Sequence, residues 1–297
     1  MNQQPPFFSI IIPTYARPGQ LASCLQSLAQ LDYPRDRFEV IVVDDDSQTP
    51  PAGIIAGFSG EMDVTLLTQP HSGPAAGRNA GAAQARGEFL AFTDDDCAPA
   101  PDWLHTLAAR LAATPECAVG GRTLNVLSDN PYSTASQLLI DYLYSYYNAT
   151  PDDARFLTSN NLALPAALFR AVGGFDTGFP RAAAEDREFC HRWLRHGQRL
   201  AYAPEVLVYH AHALTLRAFW RQHFNYGRGA FHFHQLRARR DQERFQVEPW
   251  QFYLNLLCHP FSQARGGRAL LLASLMVISQ AANAAGFFRE GAARSAV

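Results

Sequence analysis

No lysine occurs among the 297 residues; all 25 basic residues are arginine. Chemistry that needs a lysine Schiff base or a phosphate-loop lysine is thereby excluded. Any phosphate charge must meet arginine, backbone amides or a metal. Cysteine is sparse: Cys24, Cys97, Cys117, Cys190 and Cys258 are odd in number and scattered, with no Cys-x-x-Cys. That excludes a disulfide framework and a zinc knuckle, and a reducing compartment is the simpler expectation. Charge of either sign is not in excess, with 27 acidic residues giving a net charge of −2, so there is no general electrostatic footprint for nucleic acid. The opening MNQQPPFFSI has neither the basic region nor the apolar run of a signal peptide, which leads us to expect a cytoplasmic protein. Internal repeats and low-complexity segments are absent.

What is present is enough apolar sequence, 47%, for one large or two ordinary domains. Apolar β-branched runs alternate with helical patterns: FFSIII, Gly19 to Leu31, FEVIVV, DVTLLT, Gly73 to Arg86, EFLAFT. This predicts crossover units and a mostly parallel sheet flanked by helices, an α/β fold. Pro18 and Gly87 fall where helices should start and stop. The Tyr-rich stretch from Asp129 to Arg155 is either an acceptor-side insertion or an aromatic helix packing as core. A helix is predicted around Glu185 to Arg195, then an extended LAYAPEVLVYH, then an aromatic, Arg- and His-rich region from Arg217 to Arg244. Domain boundaries are expected at 1–245 for the catalytic part and 246–297 for a C-terminal helical segment.

Ala269 to Phe288 is about the length of a membrane span, but Gln280, Asn283 and Gly286 interrupt it. With Arg265, Arg268 and Arg289 at its ends, a helix lying on a membrane surface or docked on a neighbouring domain or subunit fits better. Peripheral attachment to the cytoplasmic face is the corresponding expectation.

In an open parallel sheet the ligand crevice lies at the carboxyl ends of the strands, and the runs here end in polar residues. The first ends in Pro13-Thr14-Tyr15, the second in Asp44-Asp45-Asp46-Ser47, and a later one in Thr93-Asp94-Asp95-Asp96. One such triplet could be explained by helix N-caps, as Asp102 before Trp103 would be. Two at strand ends point to a hard divalent cation or to donors on a ligand, and Mg²⁺ or Mn²⁺ with a phosphate ligand fits best.

These residues carry a family resemblance. SIIIPTYARPGQLASCL, FEVIVVDDDS, GPAAGRNAGAAQARGEFLAFTDDD, PDWL, GGFD and AAEDREFCHRWLRHG, in that order, resemble the inverting glycosyltransferases of family 2 from Phe8 to Gly229. The resemblance implies a GT-A fold with a C-terminal helical extension, a nucleotide-sugar donor and a divalent metal, Mn²⁺ or Mg²⁺. By position it implies that Pro13, Thr14 and Tyr15 line the nucleotide pocket, flanked by Arg17 and Arg78. Asp45 would accept from a uracil-like base edge, a role open to Asp44 or Asp46 if the strand ends one residue differently. Asp96 would bind the metal, Asp94 would touch ribose or a metal-bound water, and Asp95 would lie between them near the donor. Glu185-Asp186 would supply the catalytic base, assigned to Asp186; acidic residues at the start of a helix dipole are the plain alternative. His210 would be a further metal ligand. Asn161, beside Asn160, would reach acceptor hydroxyls, with Trp193 packing nearby. Arg228 would either approach the diphosphate or face a membrane. Asn79 has the plain alternative of satisfying backbone groups.

Neither a Gln-x-x-Arg-Trp motif nor several membrane spans occur, so the resemblance is to single-addition enzymes rather than processive synthases. The expected reaction moves one sugar, from a UDP-type donor by preference, to a hydroxyl of a glycan, a lipid-linked or a small-molecule acceptor. Two rivals are a nucleotidyltransferase, which usually needs a basic triphosphate loop that is missing here, and a non-catalytic binding or scaffold protein that kept the fold.

Overall fold

Phe8–Thr14 (β1) and Phe38–Asp44 (β2) are buried at every position, as apolar strands covered on both faces should be. They run parallel, Ile10 beside Val40 and Thr14 beside Asp44. Val64–Thr68 (β3) joins β2 and Phe89–Thr93 (β4) joins β1, both in parallel. Pro18–Leu28 (α1) and Pro74–Gln84 (α3) begin on proline, whose fixed φ suits a first helical turn; Ala52–Phe58 forms α2. Helix α3 lies directly on the sheet, since a Cβ at Gly81 would stand 2.6 Å from Ile11 Cγ2. These descriptions come from a computed structural model that describes residues 4–179, 183–241 and 247–295.

Beyond β4 the chain departs from the parallel pattern. Cys97–Pro99 (β5), Trp103–Ala113 (α4), Cys117–Asn125 (β6), Pro131–Tyr147 (α5), Asn161–Pro165 (β7), Ala166–Val172 (α6), Glu185–Arg195 (α7) and Arg199–His210 (β8) follow. Strand β7 pairs antiparallel with β4 and β6, and β5 pairs antiparallel with β8. The order β3-β2-β1-β4-β7-β6-β8-β5 is therefore a mixed sheet, with the expected parallel part confined to β1–β4. Strands β6 and β7 escape a reading by apolar runs because VGGRTLN and NLALP lack a long β-branched core. Side chains on one face of the sheet and on α1 and α4, among them Phe8, Leu25, Phe38, Trp103 and Leu107, form a core of this unit.

A second compact unit comprises Asn125–Tyr147, Gly178–Glu185 and His212–Val297. It contains α5, Leu216–Asp241 (α8), Trp250–Gln263 (α9) and Gly266–Ser295 (α10). The Tyr-rich stretch is the helix α5 and serves as core: Tyr142 is buried and its hydroxyl donates to the Phe252 carbonyl over 2.7 Å. Helices α8 and α10 touch backbone to backbone, because a Cβ at Gly227 would collide with Asn283 O and one at Gly286 with Phe224 O. Arg228, which the sequence offered to a diphosphate or a membrane, pairs its Nε with Glu290 Oε2 at 2.7 Å beside that contact.

Candidate active site

The crevice at the ends of β1, β2 and β4 gathers the acidic residues with their cations and donors. Thr14 Oγ1 donates to Asp95 Oδ2 at 2.7 Å. Arg17, at the start of α1, sets Nη1 3.1 Å from both Asp95 Oδ1 and Asp96 Oδ2. It thus bridges two carboxylates. Arg78, buried in α3, places Nη2 2.7 Å from Asp94 Oδ1. His210 at the end of β8 brings Nε2 to 3.2 Å from Asp96 Oδ1, because β8 pairs with β5 and sets His210 beside Cys97. The repulsion expected within this triplet is met by Thr14, two arginines and an imidazole.

The other triplet is used differently. Asp45 is buried, and its Oδ1 accepts from Gln69 Nε2 and the Ser72 N–H, at 2.7 and 2.8 Å. Its Oδ2 accepts from the Gly73 N–H at 2.8 Å and lies 3.0 Å from His71 Nδ1. With three donors and the His71 ring around it, this carboxylate holds the loop leading into α3. Burial alone would raise this carboxyl, but the hydrogen bonds from Gln69, Ser72 and Gly73, with His71, outweigh it and hold it below the usual range. Tyr15 is half exposed, with its ring 4.5 Å from that of His71 and tilted by 43°, and this pair offers an open aromatic surface. Pro13 lies against α3, where a Cβ at Gly77 would stand 3.2 Å from its Cβ.

Asp186 sits in the first turn of α7. One oxygen is buried without a hydrogen-bond partner, while the Ser159 hydroxyl and N–H serve the carboxylate. Burial pushes its pKa up, against the opposing pull of Arg78 and Ser159. Arg78 is therefore felt by both Asp186 and Asp94. Asp95 is likewise raised by burial, to about 6, against Arg17 and Thr14. Glu185 is buried at the first position of α7.

Three non-glycine residues among those described have positive φ: Ala16, Asp46 and Ala184, at 53°, 71° and 70°. Each adjoins the polar motifs at Tyr15, Asp45 or Glu185-Asp186. Such backbone costs about 1 kcal/mol or more per residue and persists where the surroundings require it. The Ala16 N–H donates to Ser47 Oγ at 2.8 Å, tying the ends of β1 and β2 together.

Two expected acceptor residues are not available. Asn161 is fully buried; its amide donates to Arg122 O and Val206 O and accepts from Trp103 Nε1. Trp193 is also fully buried, packs on Phe189, and donates Nε1–H to the Arg199 carbonyl. Both are corrected to core and strand-joining roles. Asn79 follows its plain alternative, with Oδ1 accepting from the Phe175 N–H and Nδ2 donating to its carbonyl, both at 2.8 Å. Asp102 stands at the N-cap of α4 but makes no side-chain capping bond. Gln69, His71, Ser47 and Ser159 were missed, for each lies in a loop with no periodic signal. Four of the five thiols are buried, and burial raises Cys190 to about 12, so a cysteine nucleophile has no support.

The sequence model of glycosyl transferase family 2 matches residues 9–173. That is more than half of the 297-residue chain. The chain belongs to glycosyl transferase family 2. The chain is 36% identical over 123 residues to glycosyltransferase AglE of Haloferax volcanii, across 41% of the chain and 40% of that relative. It is 31% identical over 228 residues to the pre-mycofactocin glycosyltransferase of Mycobacterium tuberculosis, across 75% of the chain and 46% of that relative. The chain thus spans less than half the length of these relatives. Among solved structures, mannosyltransferase PcManGT from Pyrobaculum calidifontis, in complex with GDP-Man and Mn²⁺, aligns with a TM-score of 0.62 at 22% identity, covering 100% of this chain and 82% of that one. TarS residues 1–349 of Staphylococcus aureus with UDP-GlcNAc aligns at 0.56 and 19% identity, covering 98% and 92%. These likenesses establish the GT-A fold of the chain.

Proposed function

We propose that this glycosyltransferase transfers one sugar from a nucleotide-sugar donor, a UDP-sugar by preference, to an acceptor hydroxyl with inversion at the anomeric carbon. The observation that carries the reading is Asp186: a buried carboxyl with one unpartnered oxygen, felt by the same arginine that holds Asp94. A carboxyl whose pKa is raised by burial suits a general base. Asp186 takes the acceptor hydroxyl proton as that oxygen bonds to the anomeric carbon; the bond from this carbon to the phosphate oxygen breaks, and its electron pair leaves with the nucleoside diphosphate.

Asp96 and His210 offer a carboxylate and an imidazole at 3.2 Å, a donor set suited to Mn²⁺ or Mg²⁺. When bound, such a metal stabilises the charge gathered on the departing diphosphate. Arg17 already spans Asp95 and Asp96 and supplies positive charge at the same place, a role no lysine can take in this chain. Tyr15 and His71 provide the face for the base, and Asp45 holds the loop beneath it. The acceptor hydroxyl belongs to a glycan, a lipid-linked or a small-molecule acceptor.

Titration of UDP, GDP and dTDP, each with and without Mn²⁺, tests the donor half: selective, metal-dependent binding of one diphosphate is expected, and binding of none would overturn it. Asp186→Asn tests the chemical half. Transfer should fall by about 100-fold or more, with diphosphate affinity within a few-fold of the parent protein; unchanged turnover would overturn the assignment.

A further inference from the structure

The second unit leaves apolar side chains exposed on two of its helices. On α9, Trp250, Leu254 and Phe261 are spaced by four and seven residues, so they share one helix face; they are 68%, 49% and 52% exposed. On α10, Leu270, Val277 and Phe288 recur on one face at 61%, 53% and 71% exposure. The opposite face of α10 is spent. Leu272, Leu275 and Met276 are buried with Leu139, Phe219 and Leu256, and Glu290 holds Arg228.

Charge identifies what covers these exposed side chains. From Pro249 to Arg289 there is not one Asp or Glu, while Arg265, Arg268 and Arg289 flank α10, and all three are exposed. Exposed apolar side chains with an aromatic Trp250, rimmed by arginines and bordered by two acids already engaged, Glu248 by Tyr146 and Tyr147 and Glu290 by Arg228, match the interfacial layer of a bilayer carrying anionic lipid.

We propose that α9 and α10 bind an anionic membrane surface, lying in its plane with Trp250, Leu254, Phe261, Leu270, Val277 and Phe288 inserted. Residues Gly266–Ala293 are long and apolar enough to cross a membrane, but a third of an apolar 18-residue stretch within them is buried inside the protein. Crossing would strip the core contacts of α10 and carry the Arg228–Glu290 pair into lipid, a costly move. Helix α9, at 14 residues, falls short of the roughly 20 needed to span. The inference is independent of the donor and the base proposed above.

Cosedimentation of the full chain with phosphatidylcholine vesicles, with and without phosphatidylglycerol, tests it. Binding should require the anionic lipid and be released by salt and by alkaline carbonate. Arg265→Gln with Arg289→Gln should weaken it roughly tenfold or more, and Leu254→Glu with Val277→Glu should abolish it; these positions are exposed, so unchanged circular dichroism is expected. Trp103 and Trp193 are fully buried, so in a Trp220→Phe protein Trp250 should be the tryptophan quenched by lipid brominated near the headgroup. Absence of binding to anionic vesicles, retention after carbonate extraction, or lipid-free self-association that shields Trp250 without vesicle binding would each overturn the proposal.

Discussion

The Thr14 hydroxyl donates to Asp95 Oδ2 across 2.7 Å, fastening the end of β1 to the turn after β4. It does so against burial, which is the larger influence and lifts the Asp95 carboxyl to about 6. An ordinary aspartate titrates near pH ~3.9. The folded protein thus holds this proton more tightly than the unfolded chain. Its contribution to stability is complete below about pH 4 and is lost as pH rises through about 6. Asp95→Asn escapes that loss. In metal-free urea unfolding, the variant should gain about 1–3 kcal/mol relative to the parent between pH 4 and 7; a pH-independent difference would refute the burial account.

Asp186→Asn should raise the melting temperature by a few degrees at neutral pH. Burial disfavours the ionised form at this position, and an amide keeps the shape without the charge. Thermal unfolding separates this from helix capping, in which case loss of the acid would lower the midpoint.

Asp45 holds the N–H groups of Ser72 and Gly73. In Asp45→Ala those two amides should exchange with deuterium about tenfold faster, while amides within β2 are unchanged. Nucleoside diphosphate binding should weaken along with them, because the loop under the Tyr15–His71 face is no longer held. Unaltered exchange at both amides would show that the loop is held by other means.

Asn79 makes two hydrogen bonds to the Phe175 backbone, just beyond Gly173 and Gly174, whose φ angles are +92° and +68°. Phe175 in turn packs on Phe92, Phe169 and Phe189. Asn79→Ala should cost about 2–3 kcal/mol in chemical denaturation, whereas a cost below measurement error would mean that the turn is set by its glycines alone.

Much of the first unit was legible because its signals are local. The runs FSIIIPT and FEVIVVD are continuous and apolar, and became β1 and β2. EDREFCHRWLR has helical spacing and became α7, and RLAYAPEVLVYH became β8. The acidic triplets stood out because unpaired carboxylates at neighbouring strand ends are costly. The antiparallel strands β6 and β7 were not visible, since neither carries a period or a β-branched run.

By itself the sequence determined that any phosphate charge must meet arginine, backbone amides or a metal, that β1–β4 are parallel strands, and that the acids cluster at their carboxyl ends. Those follow from composition and short-range periodicity, which act through nearest neighbours in the chain. Which carboxylate does what was decided only in three dimensions. Asp45 is engaged by Gln69, Ser72, Gly73 and His71, Asn161 by Trp103, Arg122 and Val206, and Asp186 is left with a bare buried oxygen. A side chain's chemistry depends on the donors and the dielectric around it, and these are delivered by residues far away in sequence.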